Sequence, residues 1–181
     1  MQLVILDRDG VINYESDAYI KSPQEWLPIP GSLEAITRLN RAGFTVVVAT
    51  NQAGVGRGLF NLAALEAIHS KMLAAVETAG GKLDGIFYCP HRPEDDCDCR
   101  KPKPGLLRQI EKRFDLSLKG IPAIGDSLRD IEAAQVVGAR AILVRTGNGE
   151  QTLRQLTTLE NVEIFTDLAA AASQLIKELN P

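Results

Sequence analysis

Asp7 and Asp9 stand two residues apart at the end of an apolar run, Leu3-Val4-Ile5-Leu6, and Gly10 breaks the chain directly after them. Four consecutive branched aliphatics are too short for a helix and read as a strand buried on both faces, as in a parallel sheet. Side chains alternate across a strand, so residues i and i+2 can be directed to one side as the chain begins to turn. Two acidic groups there can share one metal ion or one substrate. Asp126 closes another apolar stretch, Ile121 to Gly125, and Thr50 and Asn51 end a third, Phe44 to Ala49. Two or three carboxylates suit Mg²⁺, which keeps several waters and takes a phosphate oxygen as a further ligand. Thr50 and Asn51 offer donors without charge, and Arg100-Lys101-Pro102-Lys103 supplies cations that could neutralise the same group. The chemistry these residues imply is phosphoryl transfer.

A second constellation is of another kind. The three cysteines of the chain, Cys89, Cys97 and Cys99, fall with His91 inside residues 89–99. An odd number so closely spaced is a poor disulfide framework and a good metal signature. Three thiolates and one imidazole make a full tetrahedral set with no place for a catalytic water, so Zn²⁺ in a structural role is expected in this loop. The plainer alternative is three free thiols beside a surface histidine.

The elements that must position these groups alternate. Apolar strands are expected at 3–6, 44–50, 85–89, 121–126, 140–145 and 162–165. Helices are expected at 31–42, with Ser32 as N-cap and Gly43 at the C′ position, at 61–79, from Pro104 at N1, at 128–137, near 150–158 and after an Asp167 cap. Residues 11–31 read as a polar loop, too short for an inserted cap domain, and Gly54 to Gly58 as a flexible loop. Helical periodicity assigns Met72 to the core and the flanking His69 to the surface. Such alternation argues for a three-layer α/β/α fold around a mostly parallel, Rossmann-like sheet with right-handed crossovers. Ligands bind outside the carboxyl ends of such strands, where the strand order reverses.

With 181 residues the chain is expected to be a single domain spanning 1–181, and its net charge of −3 gives no basic footprint for nucleic acid or anionic membrane. No basic leader and no long apolar run is present, so a cytoplasmic protein without a membrane span is expected.

The residues now on the page carry a resemblance. Asp7-Arg8-Asp9-Gly10, Thr50-Asn51, Lys101-Pro102-Lys103-Pro104, and Gly125-Asp126 with Asp130, in that order, resemble the four motifs of the haloacid dehalogenase superfamily phosphatases. The resemblance implies that Asp7 attacks phosphorus to give an aspartyl-phosphate, and that Asp9 protonates the leaving alcohol and then activates water. It implies Mg²⁺ on the Asp7 carboxylate, the Asp9 main-chain carbonyl and the Asp126 carboxylate. Thr50 and Lys101 would stabilise the phosphoryl group, with Lys103 the alternative lysine, and Asp130 would order the site from behind. Ser127 stands where some relatives carry a substrate-reaching lysine, and no such role is assigned to it. The zinc loop, the Arg-Lys-Pro run and the lack of a large cap are similar to the heptose bisphosphate phosphatases and, close behind, the histidinol-phosphate phosphatases. The implied substrate is a small phosphorylated sugar, a heptose 1,7-bisphosphate losing its 7-phosphate in the making of lipopolysaccharide precursors, with the enzyme a monomer. Asn51, Arg57 and Arg100 would meet that substrate, the arginines supplying a second anion pocket. Histidinol phosphate is the alternative substrate, and a non-catalytic phosphate or nucleic-acid-end binding module the alternative of another class.

Overall fold

A computed structural model describes residues 1–156 and 161–179. Six parallel strands form one sheet in the order β3-β2-β1-β4-β5-β6: β1 Gln2–Leu6, β2 Phe44–Asn51, β3 Gly85–Cys89, β4 Pro122–Gly125, β5 Arg140–Val144 and β6 Glu163–Phe165. The expected α/β/α architecture is present, and among the described residues no helix is long and apolar enough to cross a membrane.

The first strand lies at the centre, and its two faces explain why Leu3 to Leu6, the buried part beyond the exposed Gln2, carries no polar residue. Val4 and Leu6 pack on one side with helices α1 Ser32–Arg41, α3 Leu62–Thr78 and α7 Leu168–Leu179, through Ile36, Leu39, Ile68, Met72 and Leu175. Leu3 and Ile5 face the other way onto α4 Gly105–Phe114 and α5 Leu128–Val136, through Leu106, Ile110, Ile131 and Ala134. A strand enclosed on both faces must be apolar at every position, so it shows a run rather than an alternation. The strand order reverses at β1, with β2 on one side and β4 on the other, and the carboxyl ends of β1, β2 and β4 open on the same crevice.

Several local expectations are corrected. Gly31, at φ 87, occupies the N-cap of α1, while Ser32 begins the helix and turns its hydroxyl into the core, donating to Val11 O at 2.8 Å. Pro104 is the cap of α4 rather than its first residue. The expected flexible loop holds one helical turn, α2 Ala53–Gly56, against which Phe60 packs closely at Gly54. The 11–31 segment is polar only in part, since Val11, Ile12, Ile20 and Trp26 are buried in the core. Helix α6, Gly149–Gln155, ends short of expectation, and residues 157 and 158 lie outside the described residues. Asp167 does cap the last helix, accepting from Ala170 N at 2.8 Å.

Candidate active site and metal centres

Strand geometry delivers the acids. The Asp7 amide donates to Ile124 O at 2.8 Å, extending the β1–β4 ladder one residue past the strand and fixing the nucleophile candidate at its tip. Gly10 then turns at φ 80, and Gly147 approaches from the loop after β5 at φ 57. A Cβ on either glycine would collide with the Asp126 carboxylate, so both positions need the missing side chain. Thr146 Oγ1 ties the two loops by donating to Gly10 O at 2.6 Å. Asp126 is held between them by Asn148 N, which donates to its Oδ2 at 2.7 Å.

One oxygen each of Asp7, Asp126 and Asp130 lies within 4.8 Å of the others. Against these three acids stands one buried cation: Lys101 Nζ donates to Ala49 O at 2.7 Å and to Asp130 Oδ1 at 2.5 Å, and sits 3.2 Å from Asp7 Oδ1. Burial opposes the lysine charge, but Asp130 and Asp7 outweigh it and hold the ammonium above its ordinary pKa. Burial likewise works against the Asp130 charge, and Lys101 with the Ser127 hydroxyl and amide overcomes it, keeping this carboxylate below its usual range. For the other two acids the support, from Lys101 and the Arg8 amide at Asp7 and from the Asn148 amide at Asp126, does not outweigh burial and repulsion. Burial and the neighbouring Asp130 push Asp7 up to about 7, and burial with Asp7 pushes Asp126 up to about 8. A divalent cation between them would offset that repulsion. The oxygen donor set therefore fits Mg²⁺.

Lys103 is exposed and pairs with Asp96 at 2.6 Å, so of the two lysines Lys101 is the one among the acids. Thr50 is fully buried beneath the site. Asn51 lines the cavity, but its amide is engaged with the Lys101 main chain in both directions, each at 3.0 Å, and it shapes the lysine's loop.

Asp9 faces the same cavity but stands apart from the three-acid cluster. Its carboxylate accepts from Arg8 Nε at 3.0 Å, Asn13 Nδ2 at 2.8 Å and Gln52 Nε2 at 2.9 Å. Gln52 Nε2 also donates to Thr50 Oγ1 at 2.9 Å, and Gln52 Oε1 accepts from Arg8 Nη2 at 3.2 Å. Behind Arg8 stands His69, its Nε2 3.3 Å from Arg8 Nη1. The expected surface position of His69 is wrong: the residue is buried, and burial with the neighbouring guanidinium pushes its pKa down to about 4.

The cavity encloses about 490 Å³, and Glu15, Arg57, Arg100, Arg129 and Asn148 line it together with the acids. Arg100 Nη1 is buried without a hydrogen-bond partner, whereas Arg57 leans toward Glu94 at 3.7 Å. Arg129 and the Arg8, Gln52 and His69 group were absent from the expected site. Arg8 left one usable signal, since a cation next to a doubly buried strand must find a buried partner.

The cysteine loop closes as expected. Cys89 Sγ lies 3.5 Å from Cys97 Sγ, 2.9 Å from Cys99 Sγ and 3.5 Å from His91 Nδ1, and Cys97 is 3.6 Å from Cys99. A zinc tetrahedron with bonds of about 2.3 Å to sulfur and 2.05 Å to nitrogen has edges of about 3.6–3.8 Å. The donor set is close to that size, with two shorter edges, Cys89–Cys99 and His91 Nδ1 to Cys99 Sγ at 3.3 Å. All three thiols are free.

Residues 98–171 match the HAD-hydrolase-like family and residues 3–127 the polynucleotide kinase 3 phosphatase family. Over 178 residues, 98% of this chain and 99% of the other, the chain is 56% identical to a D-glycero-beta-D-manno-heptose-1,7-bisphosphate 7-phosphatase of Bordetella bronchiseptica. It is 54% identical to the Pseudomonas aeruginosa protein of the same description, covering 97% of this chain and 98% of that one. The crystal structure of the D,D-heptose 1,7-bisphosphate phosphatase from B. bronchiseptica, complexed with magnesium and phosphate, superposes with a TM-score of 0.96 at 56% identity over 98% of this chain and 99% of that chain.

Proposed function

The chain belongs to the HAD-like phosphatases, in the group of the heptose 1,7-bisphosphate 7-phosphatases, and from that membership we propose that it removes the 7-phosphate of a heptose 1,7-bisphosphate by way of a phosphoryl group carried on Asp7. The enzyme is a phosphoric monoester hydrolase. The observation that supports a bisphosphate is one cavity with two cationic centres: Lys101 beside the acids, and Arg57, Arg100 and Arg129 elsewhere on its wall. One phosphate is the group transferred, and the other is an anchor that fixes the sugar between the two centres. Placing the reaction in the cytoplasmic supply of lipopolysaccharide precursors follows from that substrate.

The chain's own groups divide the work. Asp7 Oδ1 is taken by the Arg8 amide at 2.8 Å and by Lys101, which leaves Oδ2 to attack phosphorus. As the Asp7–phosphorus bond forms, the ester P–O bond breaks and Asp9 gives its proton to the departing alkoxide. Asp9 then takes a proton from the water that attacks phosphorus, and inorganic phosphate leaves Asp7 free. The Thr50 hydroxyl accepts from Gln52, and its own proton, which meets Asn51 O only at 3.5 Å, would turn to a phosphoryl oxygen of the bound substrate. The Asp7 and Asp126 carboxylates and the Asp9 carbonyl would hold Mg²⁺, which when bound polarises the phosphoryl group and offsets its repulsion from Asp7. Zn²⁺ on Cys89, His91, Cys97 and Cys99 would fix the loop that leads into Arg100 and Lys101.

Phosphate release is measured on the heptose bisphosphate, on histidinol phosphate and on a 3′-phosphorylated oligonucleotide. The bisphosphate is expected to be preferred, and a clear preference for either of the others refutes the substrate assignment. Asp7→Asn is expected to abolish release while keeping the parent's circular dichroism; normal turnover would remove Asp7 from the nucleophile role.

A further inference from the structure

Arg8 is fully buried beside the site yet, like His69, does not line the cavity. Its guanidinium chelates the Asp9 carboxylate, with Nε at 3.0 Å and Nη2 at 2.9 Å from Oδ1 and Nη2 at 3.1 Å from Oδ2. The free end, Nη1, lies 3.3 Å from His69 Nε2. A guanidinium has donors and no acceptor, so His69 must accept there, which requires a neutral ring with its proton on Nδ1. Gln52 locks the assembly from the side, accepting from Arg8 and donating to Asp9. The chain thus backs Asp9 with a relay that never meets the substrate: α3 holds His69, His69 fixes Arg8, and Arg8 fixes the plane of the carboxylate.

We propose that Arg8 and His69 are positioning residues for Asp9 in its acid/base role. When Asp9 releases its proton to the departing oxygen, the negative charge it gains develops against a cation already in place and already oriented, so no rearrangement accompanies the transfer. When Asp9 next takes a proton from water, the same chelate keeps its oxygen aimed at the cavity. His69 acts as the stop that prevents the guanidinium from turning away.

The inference rests on the acid/base reading of Asp9, and the test separates the two through the leaving group. An alkyl phosphate expels a poor leaving group and needs the proton; p-nitrophenyl phosphate expels a stable phenolate and does not. The ratio kcat/KM reports formation of the phosphoryl-enzyme in both cases. His69→Leu removes the acceptor while keeping an apolar filler. It is expected to lower kcat/KM for the alkyl ester about tenfold, which is about 1.4 kcal/mol in the barrier. The alkyl ester's loss should fall in kcat, with its KM and the aryl ester's kcat/KM each changing by less than about twofold, because positioning sets the efficiency of general acid catalysis rather than binding. His69→Gln, whose amide oxygen can accept from Arg8, is expected to recover most of the loss. Equal loss on both esters, no loss on either, or a glutamine variant no better than leucine overturns the positioning role. Asp9→Asn hydrolysing the alkyl ester at the parental rate would overturn the reading of Asp9 itself.

Discussion

Replacing Lys101 by methionine keeps a stem of similar length and deletes the ammonium from the middle of the site. All three of its protons are in use, toward Ala49 O at 2.7 Å, Asp130 at 2.5 Å and Asp7 at 3.2 Å. At an effective dielectric of about 20, the two charge pairs attract by about 7 and about 5 kcal/mol. Burying the ammonium takes back much of that gain. What remains visible is the cost of leaving carboxylates buried without their cation, about 3–5 kcal/mol. Urea unfolding followed by circular dichroism in chelator-containing buffer is expected to show that loss, and phosphate release is expected to disappear. The double variant Lys101→Met/Asp130→Asn removes the stranded charge as well, so it should regain a large part of the stability while remaining inactive. Lys103→Met is the control: its pair with Asp96 is exposed, so it should cost less than about 1 kcal/mol and leave turnover in place. A Lys101→Met protein that unfolds at the parental midpoint would refute the energetic argument. One that still releases phosphate would refute the catalytic argument.

Two further outcomes follow from the metal centres. Asp7 and Asp126 have folded-state pKa values raised above the usual carboxylate range, so their contribution to stability is complete at about pH 4 and is lost as pH rises through about 7 to 8. Mg²⁺ should therefore raise the melting temperature more at pH 8 than at pH 5.5 in thermal scans, and an equal increment at both values would contradict the shared-ion geometry. Elemental analysis of purified protein is expected to give one zinc per chain, with Cys97→Ser losing it and exposing residues 90–98 to limited proteolysis; unchanged zinc content in that variant would exclude Cys97 as a ligand.

Strand tips were legible in the sequence because a strand enclosed on both faces carries a buried apolar run, and the polar residue that closes the run marks its carboxyl end. That logic placed Asp7, Thr50 and Asp126 and, with the cysteine spacing, both donor sets. It failed where burial depends on a partner distant in sequence. His69 flanks the apolar stripe of α3, and nothing in that helix announces that the guanidinium of Arg8 needs an acceptor there. Ser32 reads as a cap from its neighbours, yet its hydroxyl answers Val11 O, 21 residues away. The turn at Ala53–Gly56 was hidden by three glycines within five residues, a composition that favours loops unless packing such as the Phe60 contact at Gly54 overrides it. Arg129 is exposed on the first turn of α5, where a surface charge and a cavity-lining charge look alike until the cavity exists.

The central place of β1 in the sheet also sets the order in which the site can come into being during synthesis. The strand that carries Asp7 is made first, but the carbonyl that anchors the Asp7 amide belongs to Ile124, and Asp126 and Asp130 follow it. Until that stretch has left the ribosome, β1 can pair only with β2 among its two neighbours, and its other edge is open and apolar from Leu3 to Leu6. A nascent chain that has passed β2 but not reached β4 therefore carries Asp7 without the frame that aims it. The apolar edge that awaits β4 is the stretch most in need of protection from pairing with other chains during that interval.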